Sequence, residues 1–224
     1  MHYIVDGPSN NHHGHVPSIS EIPRSTCAIL ITGFIYDAHG NDAWILRLLD
    51  LLKELWTTRP KVLFSGVCFG HQLLSRLLGA HTEPTPGGRW ELAHREMVLN
   101  PIGQKLFRTN TSKLSLHQMH QDQVTSVPST STTNLLSQGQ KVHVWASTPI
   151  QGLYIRDRLF TSQGHSGFDE KMVYRQIEMR EENGGIKDNE HAAEAKETGH
   201  LKHDGVVVAS AILPFFHGDD HDID

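Results

Sequence analysis

The residues best placed for chemistry lie in Lys61-Val-Leu-Phe-Ser-Gly-Val-Cys-Phe-Gly-His-Gln-Leu-Leu-Ser-Arg-Leu-Leu-Gly79, where one cysteine stands between two glycines as a strand pattern gives way to a helical one. In Gly66-Val67-Cys68-Phe69-Gly70 the flanking glycines let backbones approach closely on both sides of a tight turn, so the central side chain is presented above the sheet edge as a nucleophile elbow. The sulfur also falls at the start of the following helix, where free N–H groups and the macrodipole favour thiolate over thiol. A buried structural cysteine is the commoner fate of a single Cys, but the strand–turn–helix context that the elbow requires is present. Cys27, at the start of an apolar strand, reads as packing.

Composition narrows the setting. At 224 residues the chain is long enough for one α/β domain with a substantial core. A net charge of −5 without a dense Lys/Arg run argues against nucleic acid as a partner. No apolar run is long enough to span a bilayer, and no leader pattern opens the chain, so no membrane partner is expected. Two cysteines do not form a disulfide framework, which predicts a reducing, cytoplasmic compartment. The 17 histidines collect toward the ends, with His12, His13 and His15 early and His217 and His221 late. No HExxH or CxxC spacing accompanies them, so neither metal nor cofactor is expected.

The elements that must position Cys68 follow from periodicity. Residues 1–26 are rich in Pro, Ser, Asn and His, with only Tyr3-Ile4-Val5 resembling a strand. Ala28-Ile-Leu-Ile-Thr32 is a continuous apolar run suited to a buried parallel strand, leading into Gly33. Asn41 or Asp42 then caps a helix whose Trp44, Ile45, Leu48, Leu49, Leu52, Leu55 and Trp56 recur at spacings of three and four, and Pro60 stops it. Lys61 to Ser65 forms the next strand, and the helix after Cys68 buries Leu73, Leu74, Leu77 and Leu78 before Gly79. This alternation predicts a parallel sheet covered on both faces, with ligands at the carboxyl ends of the strands. Farther on, strands are predicted at 113–120, 141–145, 151–155 and 159–161, then an interrupted helix over 170–203 and a last helix from Gly205 to Phe216.

Four motifs in this order, Gly-Val-Cys-Phe-Gly-His-Gln at 66–72, His-Gln-Met-His-Gln-Asp-Gln-Val at 117–124, Thr-Ser-Gln-Gly-His at 161–165 and His-Asp-Gly-Val at 203–206, resemble the class I glutamine amidotransferase-like family. Within it the chain is most similar to the GMP-synthase-like and γ-glutamyl-peptidase-like proteins of fungi and plants. The resemblance implies a flavodoxin-like three-layer sandwich with a mostly parallel central sheet over residues 27–216, followed by an acidic, His-containing tail at 217–224. It implies that Cys68 attacks the carboxamide of a γ-glutamyl or related amide substrate and forms a thioester, with His165 as general base. Phe69 supplies one oxyanion N–H, and Gly33 or Phe34 the other. Gln72 would hold the glutamyl group, with His120 and Asp122 either near the substrate or structuring their own loop.

Three departures from the family pattern bear on function. Where the family has His-Pro-Glu this chain has His165-Ser166-Gly167, so the acid that orients the imidazole is missing and Asp169 and Glu170 are the nearest substitutes. Gly33-Phe34 replaces the usual Gly-Ser, placing a ring where the substrate enters. The family's first strand and helix have no counterpart before Ala28, which would expose a sheet edge and predicts reduced stability or a protein partner, a second copy of the chain included. No Gly-x-x-x-x-Gly-Lys-[Ser/Thr] loop for ATP is present, so true amidotransfer would need a second protein. The leading expectation is a Cys68–His165 amidohydrolase, and the rival is a catalytically silent relative that binds a ligand or partner.

Overall fold

The computed structural model describes residues 14–33, 35–147, 149–220 and 223. The strand expected at Tyr3-Ile4-Val5, and His12, His13 and His221, lie outside those residues. Strands β1 (Ala28–Ile31) and β2 (Leu63–Val67) pair in parallel with Ala28 opposite Leu63 and Ile31 opposite Gly66. Helix α1 (Ala43–Thr58) connects them and buries Ile45, Leu48, Leu51, Leu52, Leu55 and Trp56, the spacing that the sequence predicts. Helix α2 (Phe69–Leu77) follows the elbow.

After α2 come β3 (Thr82–Pro84), β4 (Glu91–Leu99), α3 (Pro101–Leu106), β5 (Lys113–His120), β6 (Asp122–Val124), β7 (His143–Ser147), β8 (Gly152–Ile155) and β9 (Leu159–Ser162). Three helices complete the described chain: α4 (Glu170–Glu182), α5 (Asn189–Thr198) and α6 (Gly205–His217). The main sheet runs β1-β2-β9-β8-β7-β4-β5, and β3 pairs with β6 apart from it.

The architecture is the flavodoxin-like α/β layering that the resemblance implies. Side chains alternate across the sheet: Phe64, Leu153, Ile155 and Leu159 pack with α1 and α2, whereas Tyr154 and Phe160 pack with α6 on the other face. Parallel order holds for β1-β2-β9, which carries the elbow. Beyond β9 each pairing is antiparallel, so the sheet is mixed where helical and strand periodicity had pointed to parallel order. The reason is connection length: β8 reaches β9 through Arg156, Asp157 and Arg158, and so short a link can only reverse the chain. Asp157 takes a positive φ of 53° to close it. Strand β4 escapes sequence reading because Glu-Leu-Ala-His-Arg-Glu is rich in helix formers; its strand state comes from pairing with β5 on one side and β7 on the other.

Beyond the last helix, Asp220 and Ile223 are buried rather than solvated, and Asp220 accepts the Tyr154 hydroxyl. Among the described residues β1 pairs only with β2, and Leu30 on it is 56% exposed. No helix among them is long and apolar enough to cross a membrane.

Arg158 ties the two ends of this core together. It is 6% exposed, and its guanidinium donates to the carbonyl of Trp56, in the last turn of α1, and to those of Arg59 and Val62 in the turn that follows. It also lies 4.4 Å over the Trp56 ring. Arg158→Met removes all three of these bonds, and urea unfolding should show a loss of about 2–4 kcal/mol. A loss under about 0.5 kcal/mol would show that the guanidinium is not needed there.

Candidate active site

The elbow has the geometry its sequence predicts, with one refinement. A Cβ on Gly66 would lie 2.4 Å from the Gly70 carbonyl oxygen, and one on Gly70 would lie 2.1 Å from the Ile31 oxygen, so both glycines are demanded by backbone approach. The positive φ falls on the cysteine itself: Cys68 sits at φ 54°, ψ −109°. A non-glycine residue in so sparse a region costs roughly 1–3 kcal/mol, strain typical of functional turns.

Pairing then brings the candidate base alongside. In the β2–β9 register Val67 lies opposite Ser162, and the Cys68 N–H donates to the Ser162 carbonyl at 2.9 Å. Three residues on, the His165 N–H donates to the His117 carbonyl of β5 at 2.9 Å, holding the chain between two strands. Both side chains border Gly33. A Cβ built there would stand 2.7 Å from His165 Cε1, 3.6 Å from its Nε2 and 3.4 Å from Cys68 Cβ. Phe168 closes the other face of the imidazole, stacked at 3.8 Å and 13°. The Cys68 thiol itself points to the Met119 carbonyl, at 3.8 Å.

Electrostatically the pair rests neutral. Burial pushes the Cys68 thiol up to about 12, outweighing the Phe69 N–H, Arg180 and Gln163, which favour the thiolate. The thiolate expected from the helix N-terminus is therefore not the resting state, because desolvation exceeds the dipole. Burial likewise lowers His165 to about 3, and the charges that bear on it, His120, Arg180 and His117, lower it further. Asp169 is engaged elsewhere: its carboxylate accepts the Met172 N–H at 2.8 Å as the N-cap of α4, and Glu170 is the first residue of that helix.

Cys68 opens on a cavity of about 230 Å³ that is also lined by Gln72, Asp122, His120, Trp90 and Arg180. Gln72 Nε2 donates to the Asp122 carbonyl at 2.9 Å and to Gln163 Oε1 at 3.0 Å. His120 Nδ1 donates to the same Asp122 carbonyl at 2.8 Å, while its Nε2 lies 3.2 Å from a Glu91 oxygen. The Asp122 carboxylate faces His39 Nδ1 at 3.2 Å, and burial raises its pKa despite that contact. Thus Gln72, His120 and Asp122 both build the loop and face the cavity. Phe34 lies outside the described residues. A second cavity, about 280 Å³ and lined by Leu106, Phe107 and Phe215, contains none of these groups.

Sequence reading missed Gln163, Trp90 and Arg180. Gln163 stood inside the Thr-Ser-Gln-Gly-His motif and is 1% exposed, with an Nε2 that lacks a partner among the described residues. Arg180 lies in Gln-Ile-Glu-Met-Arg-Glu-Glu, which reads as a solvated helix face and gives no signal. The histidines of the middle are structural in placement: His71 bridges Thr161 and the Ile150 carbonyl, and the His117 ring lies 4.6 Å from that of His203, tilted by 58°. Among the described residues no group of three His, Cys, Asp or Glu side chains is arranged to hold a metal.

A strained cysteine on a strand-to-helix elbow, above the parallel part of a flavodoxin-like sheet, defines the class of protein. Residues 40–169 match the family described as Glutamine amidotransferase class-I. A Saccharomyces cerevisiae protein with a provisional glutamine amidotransferase name is 32% identical over 71% of this chain and 60% of its own length. Gamma-glutamyl peptidase 5 of Arabidopsis thaliana is 30% identical over 75% of this chain and 64% of its own length. The chain thus spans under two thirds of the length of these two relatives. The crystal structure of a glutamine amidotransferase from Thermotoga maritima superposes with a TM-score of 0.57 at 18% identity, over 84% of this chain and 77% of that one, a likeness of fold. This chain belongs to the class I glutamine amidotransferase family.

Two measurements check the site. Gly33→Ala forces a methyl against His165, so the ring must move; its Cε1–H resonance should shift and stability should fall by about 1–3 kcal/mol. An unchanged resonance would mean that the imidazole is not seated on Gly33. Second, His71, His165 and His117 are lowered from 6.5 to about 3, 3 and 4, each chiefly by burial. The unfolded chain then binds protons that the folded chain refuses, so stability is full above about pH 6.5 and falls as pH drops toward 4 and 3. Urea midpoints should be lower at pH 5 than at pH 7.5, and equal midpoints would contradict neutral burial of these rings.

Proposed function

We propose that this chain is a cysteine-dependent amidohydrolase acting on a γ-glutamyl compound. The observation that supports the reading is the strained Cys68 opening on a cavity, with the His165 ring and the Cys68 Cβ both bordering Gly33. In this reading Cys68 Sγ attacks the amide carbonyl carbon as its proton passes to His165. The tetrahedral oxyanion is met by the Phe69 N–H and a second donor from the Gly33–Phe34 loop. The C–N bond then breaks as His165 returns the proton to the leaving amine, leaving a thioester that water hydrolyses to free glutamate and thiol. Gln72, His120 and Asp122 hold the glutamyl end. Asp169 and Glu170 are the acids nearest in sequence to orient His165, but with Asp169 capping α4 the reading rests on a Cys–His dyad. Both cysteines are unpaired, which fits a cytosolic compartment.

A second reading, a silent relative that binds a ligand or partner, is favoured by the thiol's rise to about 12 and by the basic groups around His165. Intact-protein mass spectrometry with a glutamine-analogue diazoketone separates the two. The amidohydrolase should gain one adduct on Cys68, lost in Cys68→Ala and slowed at least about 100-fold in His165→Ala. Labelling of Cys68 by iodoacetamide above about pH 9, with none by the analogue, would leave only the binding role.

A further inference from the structure

Helix α6 is apolar on more than the side it buries. From Gly205 to Phe216 it carries no charged residue. Val208, Ala211 and Phe215 are buried and pack in one cluster with Tyr154 and Phe160 of the sheet. A second stripe, Val206, Ala209, Ser210 and Leu213, recurs at the same spacing of three and four and stands exposed, Val206 by 79% and Leu213 by 60%. A surface helix with one covered side carries its charges on the other; a helix with no charged side is one that is covered all round. Among the described residues nothing covers the second stripe.

Two observations point to a second copy of this chain as the cover. The stripe is self-complementary. A two-fold axis between Ala209 and Ser210 runs two α6 helices antiparallel and sets Val206 of each copy against Leu213 of the other, while the small residues at the axis let the helices approach closely. Beside the stripe opens the cavity of about 280 Å³, walled by Ser210 and Pro214 of α6 and by Phe107. Those two α6 residues flank Leu213, so the cavity lies next to the place where Val206 of the other copy arrives. The charges at the helix ends also fit. Lys202, exposed just before α6, and Asp219, exposed just after it, enter no ion pair among the described residues. Antiparallel order brings Lys202 of each copy to the Asp219 end of the other and opposes the two helix macrodipoles, whereas parallel order sets like charges together.

We propose that the outer face of α6 is a homodimer interface, formed by two copies packed antiparallel about Ala209 and Ser210. A 13-residue helix offers a stripe of roughly 20 Å. Two such stripes with their grooves bury on the order of 1,000 Å² in total, at the low end for specific association, so the dimer is a reversible one. None of the described residues lining the Cys68 cavity belongs to α6, and the inference holds under either reading of that site.

Sedimentation velocity of the full chain from about 5 to about 500 μM tests it, with a monomer–dimer equilibrium of Kd on the order of 10–100 μM expected. Val206→Lys and Leu213→Glu each alter an exposed side chain, so each should raise that Kd at least about 10-fold while the urea midpoint of the dilute chain stays unchanged. Lys202→Glu and Asp219→Lys should each weaken the dimer, and the two combined should restore it. A chain that stays monomeric through the whole range overturns the proposal. A dimer that neither stripe substitution weakens also overturns it, since the interface then lies elsewhere. Charge reversals that fail to rescue one another overturn the antiparallel order on which the pairing is built.

Discussion

The parallel pairing of β2 with β9 is the constraint on which the site depends. With Val67 opposite Ser162, the elbow leaves one strand end and the Gln163-Gly164-His165 turn leaves the next, so two side chains distant in sequence are delivered to one edge of the sheet. The bond from the Cys68 amide to the Ser162 carbonyl clamps that register at a point where the backbone is strained. A slip by one residue would turn each strand side chain to the opposite face, carrying Phe160 into the space of Leu159 and undoing both helical layers at once. Chemistry and core packing are thus specified by the same ladder.

Around that clamp the molecule withholds charge. Helix α2 offers its N-terminus to the sulfur, an arrangement worth at most about 2 kcal/mol, but the surroundings of Cys68 remove water from both partners. Desolvation prevails, and thiol and imidazole both rest neutral. In related triads an acid behind the histidine offsets part of the cost of the imidazolium. Here Phe168 occupies one face of the ring and the nearby charges are basic, so in the amidohydrolase reading the ion pair would form only with a substrate in place. Gln72 and Gln163 supply a rigid buried amide pair in that setting, one that positions groups without adding charge.

Much of this was legible in the sequence where local pattern and global need agree. The α1 stripe, the strand at 113–120 and the elbow follow from period and from glycine placement alone, because each is decided within a few residues. The mixed order of the sheet was hidden, since periodicity says that a segment is a strand and not which neighbour it meets. Strand β4 was hidden more deeply: Glu91, Arg95 and Glu96 suit a helix, and only the pairing across to His117 and Ser115 overrides them. At the site, Cys68, Gln72 and His165 were marked by motif. Arg180 was not, because a charged side chain over an aromatic ring looks, along the chain, like any solvated one. The resting charge of Cys68 was misjudged for a related reason, as burial is a property of the assembled layers and not of the Gly-Val-Cys-Phe-Gly turn.

The strain at Cys68 also bears on how the chain could drift. Glycines 66 and 70 are held by backbone contacts that any occupant of position 68 would need, so they belong to the architecture whether or not a reaction takes place. The cysteine is different, since glycine at the same φ would relieve the strain and leave the fold more comfortable. Thermodynamics alone therefore pushes this position away from the thiol. A lineage freed from the need for a nucleophile would be expected to lose Cys68 early while keeping its glycine frame, and a chain that still holds the thiol stands uphill of its own most stable neighbour.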